Sequence, residues 1–458
     1  MVRVLKWLAL AVAAAVLFVV VVWLASRATG PSAAESDALA LIDAAPANQG
    51  RGGFAALYTV AHDVPEAEQA GVLAEDVRHF ATAPLVPDGS SPPWRSALED
   101  WPRLGMSLEG DPAWCVSREP GCLERVRASP QAYAGLLERN AALLDRTAAL
   151  AAWDHFHSPF PARFDTPLPA YQSLSRLATR DAWRFVAGDI DVALAGACTG
   201  VLQGRRMIEA GDSLIGSMIG AALVQGNATL LGDMLAELPR EHALPAQCDA
   251  AFALPLALGD GACRTMLAEG RLATGGLRGQ VAASFAAEVA GSDLPGWSTR
   301  LLFDPEHTAA RGAPKFAWYC GAQARELIAQ DSPLRDPAPP PSRWSLACAS
   351  NAVGCILVDI AAPAYADYGL RLQDADARLR TTAALLWLRG RDGAIDEAAL
   401  AQLPAPMRSP SRPLRLDIAA GTLATALHER PREGQDGHDG SWSLPLPASR
   451  LQPAGAAP

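Results

Sequence analysis

The hydrophobic pattern of this chain is unbroken at its start and periodic afterwards. Trp7 to Ala25 is a run of nineteen residues without a charge, rich in Val and Leu and preceded by Arg3 and Lys6. A bilayer-crossing helix needs about 17–25 such residues, whereas a secretory signal has an apolar region of about 7–15. The run predicts an uncleaved transmembrane helix over residues 7–25, with Trp7 and Trp23 as interfacial aromatics. Ser26-Arg27-Ala28 is the alternative, a cleavage site if the segment is removed. Arg3, Lys6 and the amino terminus outnumber Arg27, which predicts a cytoplasmic stub over residues 1–6 and an external remainder. No later segment is expected to span, since Leu214 to Val224 is uncharged and mostly apolar for only eleven residues.

Beyond the span, residues 26–53 read as a flexible tether, rich in Pro, Ala and Gly from Gly30 onward. A helical region is predicted over 54–330. Pro92 to Pro112, with Trp94 and Trp101, reads as irregular structure packed by aromatics, and Ser158 to Pro169 as a Pro-rich break. Ser129 and Pro130 open a helix with Tyr133, Leu137, Leu144 and Ala148 on one face. Tyr171, Leu174, Ala178 and Phe185 form another stripe, ended by Ala187-Gly188-Asp189. A second helix runs from about Val192 to Glu209 and stops at Ala210-Gly211-Asp212. A third begins with Leu214, and Gly226-Asn227 is expected to separate it from a fourth carrying Leu230, Leu231, Met234 and Leu235. Gly past one helix and Asp, Ser or Asn opening the next is the punctuation of stacked antiparallel helices. Residues 331–343 hold five prolines and read as an extended linker. A mixed region, largely helical, is predicted over 344–429, with short strands near Pro413 to Thr422 and a disordered tail over 430–458. The expected class is mainly α: a transmembrane helix, then a disulfide-containing helical periplasmic array with minor β near the C-terminus.

Composition adds setting rather than activity. Hydrophobic residues make up 50% and charged residues 19%, enough to build a sizeable core. The net charge of −10 argues against a nucleic-acid partner, because phosphate binding needs a basic surface. The eight cysteines, Cys115, Cys122, Cys198, Cys248, Cys263, Cys320, Cys348 and Cys355, are an even number that outside the cytoplasm reads as disulfides. Cys115–Cys122 and Cys348–Cys355 share one spacing and suggest local loops. Cys248 and Cys263 suit a staple between two helices, leaving Cys198 and Cys320 for a long-range bridge. Zinc is disfavoured: there is no C-x-x-C pair and no His at ligand spacing. No cofactor is expected.

Several motifs bear on chemistry. Asp154-His155-Phe156-His157 lacks a further ligand at metal spacing and reads as a packed aromatic turn. Gly216-x-x-x-Gly220 reads as close helix packing. Twelve Trp residues read as core, since nothing in their spacing selects a groove. Gly211-Asp212-Ser213-Leu214 spells the signature of the GDSL esterases, and Asp304-Pro305-Glu306-His307 matches their Asp-x-x-His. That resemblance implies Ser213 as nucleophile, His307 as its base and Asp304 as the orienting carboxylate. The context differs, because a helix rather than a strand precedes Ser213 and no Gly-x-Asn-Asp follows. Only 91 positions separate Ser213 from Asp304, and an Ala-Gly-Asp turn recurs at Ala187 without a serine. Helix capping by Ser213 is the reading preferred here.

An ordered set of segments resembles uncharacterised membrane-anchored helical proteins of Xanthomonadales-type bacteria. It comprises Phe54-Ala55-Ala56-Leu57 with Asp63-Val64-Pro65, Cys122-Leu123-Glu124-Arg125-Val126-Arg127, and Ser213 to Ala222. It continues with Asn351-Ala352-Val353-Gly354, Pro363-Ala364-Tyr365 and Asp376-Ala377-Arg378-Leu379-Arg380. The resemblance implies an envelope protein and carries no activity or functional residues. The expected role is a single-pass inner-membrane protein, held through Trp7 to Ala25, whose periplasmic region binds or scaffolds an envelope protein partner of unknown identity. A periplasmic serine hydrolase using Ser213, His307 and Asp304 is the alternative.

Overall fold

The computed structural model describes residues 2–44, 50–84, 94–105, 107–117, 119–291, 299–338, 342, 344–361, 365, 367–429 and 440–447. Among them helices dominate. The first four are α1 (Val2–Thr29), α2 (Ala33–Asp43), α3 (Phe54–Thr59) and α4 (Glu66–Thr82). Then come α5 (Cys122–Ala128), α6 (Pro130–Arg139), α7 (Ala141–Ala149), α8 (Gln172–Ala187), α9 (Ile190–Ala210) and α10 (Leu214–Glu237). The remainder are α11 (Gln247–Ala251), α12 (Leu258–Gly276), α13 (Ala282–Ala290), α14 (Thr299–Leu302), α15 (Pro305–Ala317), α16 (Ala322–Ala329), α17 (Ala352–Ala361), α18 (Tyr368–Arg389) and α19 (Glu397–Leu400). Strands β1 (Arg415–Asp417), β2 (Thr422–Ala426) and β3 (Ser441–Pro445) form one antiparallel sheet in that order.

The apolar face of α1 meets no core: its most hydrophobic stretch is wholly unburied, and the helix is long and apolar enough to cross a membrane. The expected tether is partly structured instead. Ser32 and Glu35 form a reciprocal capping box that starts α2, and Ala38 and Ile42 bury against α15. An N-terminal cap and one apolar stripe suffice for a helix here, which the Pro/Ala/Gly content of the flanks hides.

The centre is α8, α9 and α10. Gly188 and Gly211 adopt left-handed backbone at the ends of α8 and α9, as the Ala-Gly-Asp turns predict. In α9 the spacing Gly196, Gly200, Gly204 cuts a groove. A Cβ on Gly204 would meet the Gly220 carbonyl at 2.5 Å, while Gly200 receives Asn227 and Gly196 receives the buried Asp181. The close contact expected of Gly216-x-x-x-Gly220 is thus carried by Gly220 against α9. The expected break at Gly226-Asn227 does not occur, and α10 is one helix of 24 residues. Asn227 Nδ2 donates to the Leu223 carbonyl at 2.9 Å, and burial against α9 outweighs the roughly 1 kcal/mol that a helical glycine costs. At this length α10 could span a membrane by composition, but it is mostly buried inside the protein as a core helix.

Four disulfides brace this frame. Cys115–Cys122 and Cys348–Cys355 close short loops, as their spacing suggests. The other two pairs differ from expectation: Cys198 joins Cys248, and Cys263 joins Cys320. Helix α11 packs on α9 and brings Cys248 to Cys198, while α12 lies against the turn Trp318–Cys320 that ends α15. Helix packing, not sequence distance, selects the partners.

The Pro-rich segment does not separate two cores. Leu334 is fully buried, and its N–H donates to Gln373 Oε1 of α18 at 2.8 Å. Asp331 is buried among Arg380, Arg412 and His428, and Arg412 also reaches Asp374. One hydrophobic cluster includes Ile42, Leu231, Met266, Phe316 and Leu379, so residues on both sides of that segment share a core. The predicted strands near Pro413–Thr422 are present as β1 and the start of β2. Within the tail expected to be disordered, Ser441–Pro445 instead forms β3, because Leu444 buries against Gly232 of α10 and pairs with Leu423. Residues 430–439 and 448–458 of that tail, like residues 45–49 of the tether and residues 339–341 and 343 of the linker, lie outside the described residues.

Candidate functional site

The start of α10 opens onto a cavity of about 410 Å³. Its position follows from a short pairing between residues 51–53 and 153–155. Gly53 N donates to the His155 carbonyl at 2.8 Å, and Asp154 Oδ2 accepts from Arg51 N at 2.8 Å. Arg51 also stacks 4.7 Å over Trp153. The segment Asp154-His155-Phe156-His157 is therefore pinned, and Phe156 N donates to Asp212 Oδ2 in the α9–α10 turn.

Aromatic and aliphatic side chains make the walls: Phe54, Phe156, Phe160 and Phe164 with Leu168 and Ile215. Phe160 is fixed by ring contacts with Tyr58 at 5.4 Å, Phe80 at 5.5 Å and Phe54 at 6.3 Å. Phe164, Leu168 and Ile215 are exposed at the rim. A wider cleft of about 970 Å³, lined by Tyr58, His62, Trp94 and Arg103, shares the Pro167–Tyr171 wall and Ile215. The polar lining of the smaller cavity comprises His157, Ser158, Arg163, Thr166, Tyr171, Asp212 and Ser213, with Glu269 and Arg271 of α12.

Burial opposes ionisation of His157, Tyr171, Asp212, Glu269 and Arg271. It pushes the Asp212 carboxyl up, against the lowering effect of the Phe156 N–H and nearby His155 and His157. It pushes the His157 imidazole down despite Asp212, and pushes Glu269 up despite a hydrogen bond from Tyr365. The Tyr171 hydroxyl is also raised, mainly by burial. Asp212 Oδ1 is buried without a hydrogen-bond partner. The site is thus an enclosure with aromatic and aliphatic walls and several hydrogen-bonding groups, among them Arg163 and Arg271.

The two parts of the esterase-like motif are helix starts. Ser213 Oγ accepts from Gly216 N at 3.0 Å, the hydrogen bond of a helix N-cap. Asp304 caps α15 by accepting from His307 N at 3.1 Å, and its second oxygen pairs with Arg27 of α1 at 3.3 Å. Ser213 lines the cavity, and Asp304 and His307 do not. No hydrogen bond joins Ser213 to a histidine among the described residues. Nor is any group of three His, Cys, Asp or Glu placed to hold a metal among them.

Sequence reasoning named Ser213 but missed the enclosure around it. Phe156, Phe160 and Phe164 recur every fourth position through the Pro-rich break, and that spacing was the available signal. Tyr171 and Glu269 carried none. No protein-family model matches this chain, and no curated protein or solved structure matches it.

Proposed function

We propose that this chain is a single-pass inner-membrane protein whose helical region lies in the periplasm and binds an apolar molecule in the Ser213 cavity, without covalent chemistry. The observation that carries this reading is the pairing of aromatic walls with a serine whose oxygen is committed to capping. Cavities of a few hundred Å³ with convergent polar groups are the usual form of small-molecule sites. His157, Tyr171, Asp212 and Ser213 supply hydrogen-bonding groups for a polar end of the ligand. An external location is supported by four disulfides, which persist in oxidising compartments.

Native mass spectrometry of the full chain released from detergent tests this. The expected result is a retained small molecule in the wild type, absent from Ala268→Trp, which fills the cavity from α12. Equal ligand-free spectra for both proteins would refute binding. Fluorophosphonate labelling of Ser213 that His307→Ala abolishes would restore the hydrolase.

A further inference from the structure

We propose that the folded region rests on the bilayer surface through an apolar patch around the exit of α1, giving the protein a second, interfacial contact with lipid. The inference rests on α1 being a span. The contacts between α1 and the rest of the chain set the depth. Trp23 Nε1 donates to the Leu301 carbonyl at 2.7 Å, and Ser26 Oγ lies 2.8 Å from Ser350 Oγ and accepts from Ser350 N at 3.0 Å. The uncharged run ends at Ala25, so at 1.5 Å per helical residue Trp23 lies about 3 Å inside it. A body that touches Trp23 while α1 spans must bring Leu301 to the level of the membrane interface.

The surface around that point is suited to the position. The turn Leu346–Cys348 packs on α1, and α17 packs on both that turn and α14. Leu302 and Leu346 are about half exposed, and Trp344 is 89% exposed. On α17, Ile356 and Ile360 are four residues apart on one face, and Ile360 is 71% exposed. The one acid of that helix, Asp359, lies near Lys315. Arg27 stacks 5.5 Å over Trp23 and pairs with Asp304, an aromatic and a cation at the level where interfacial anchors gather. A net charge of −10 gives no attraction to anionic headgroups, so burial of apolar side chains is the force available. Continuity with α1 selects lipid over another protein as the occupant.

The test uses the full chain in bilayers of phosphatidylethanolamine and phosphatidylglycerol carrying a phospholipid with a diazirine on its acyl chain. After photolysis, crosslinks are mapped by mass spectrometry. Labelling is expected on α1 and, severalfold above the exposed controls Val192 and Ile418, at Leu346 and Ile356–Ile360. Leu346→Glu with Ile360→Glu, both at exposed positions, should lower patch labelling severalfold and leave α1 labelling unchanged. Labelled α1 with the patch at control level overturns the interfacial contact alone. Unlabelled α1 overturns the span and the contact with it. Protein–protein crosslinks at the patch, lost on dilution into more lipid, would assign the surface to a second copy and also refute the proposal.

Discussion

Arg412→Met replaces a buried guanidinium by an uncharged side chain of similar reach. In the native protein Arg412 reaches Asp331 through Nε at 2.9 Å and also through Nη2. Its Nη1 reaches Asp374 at 2.6 Å, and it donates to the carbonyls of Gln373 and Ala426. The Arg412 side chain is 4% exposed, and Asp374 is fully buried. Removing one partner of such a pair costs about 3–5 kcal/mol, because the remaining charge stays buried. Here both carboxylates keep other donors: Asp331 keeps Arg380 at 2.8 Å, and Asp374 keeps the N–H groups of His428 and Glu429. The loss should therefore fall at the low end, about 3 kcal/mol, a large share of a total near 5–15 kcal/mol. Guanidinium unfolding of the oxidised full chain in detergent, followed by circular dichroism, measures it. Hydrogen exchange should quicken first in β1, β2 and β3, which this network ties to α18. Asp331→Asn should cost less in the Arg412→Met background than alone. A loss under about 1 kcal/mol, the scale of one ordinary hydrogen bond, or strict additivity of the two changes, would refute the reasoning.

The other outcomes follow from single features. Burial raises the Asp181 carboxyl from 3.8 to about 7, against the charges of Arg180 and Arg184. Stability from this group is present below about pH 4 and lost as pH rises toward 7, by up to about 4 kcal/mol. Asp181→Asn should flatten that slope in urea titrations, and parallel slopes for the two proteins would contradict it. Asp331 acts in the opposite sense: burial opposes its ionisation, but hydrogen bonds from His428, Arg412 and Ser409 and the charge of Arg380 hold it well below the ordinary range. Its contribution should therefore be present above about pH 4 and disappear in stronger acid. Cys198→Ala with Cys248→Ala opens a link spanning 50 positions and should cost about 4 kcal/mol, while non-reducing peptide mapping should recover all four pairings. Ser213→Ala should cost about 0.5–2 kcal/mol of thermal stability through loss of the α10 cap; an unchanged melting temperature would show the cap to be idle. A C-terminal alkaline phosphatase fusion should be active in cells, and an inactive one beside a fluorescent cytoplasmic reporter would reverse the topology.

Features closed within a few residues were legible in the chain. The uncharged run from Trp7 marks α1 because a helix satisfies its own backbone and needs only apolar side chains to face lipid. Gly188 and Gly211 mark helix ends because a left-handed residue is a local requirement. Cys115–Cys122 and Cys348–Cys355 are loops too short to need a fold to close them. The same local reasoning failed at Gly226-Asn227, where the cost of a helical glycine is small beside the burial of Asn227 against Gly200 of α9. It failed at α2, where the capping box was present but the surface covering Ile42 comes from α15, over two hundred positions later.

Tertiary structure alone decided the rest. Cys248 and Cys263 are close in sequence, yet each bonds to a partner at least fifty positions away, because α11 lies on α9 and α12 on the end of α15. Ser213 and the Asp304–His307 pair match one motif in the chain and cap two different helices in space. The cavity draws Phe54, Phe156, Ser213 and Glu269 from four separate segments, and the Asp331 network joins residues 331, 374, 412 and 428. Hydrogen bonds within a helix span four residues and leave a periodic signature, whereas contacts between helices depend on which faces meet, and no local pattern records that choice.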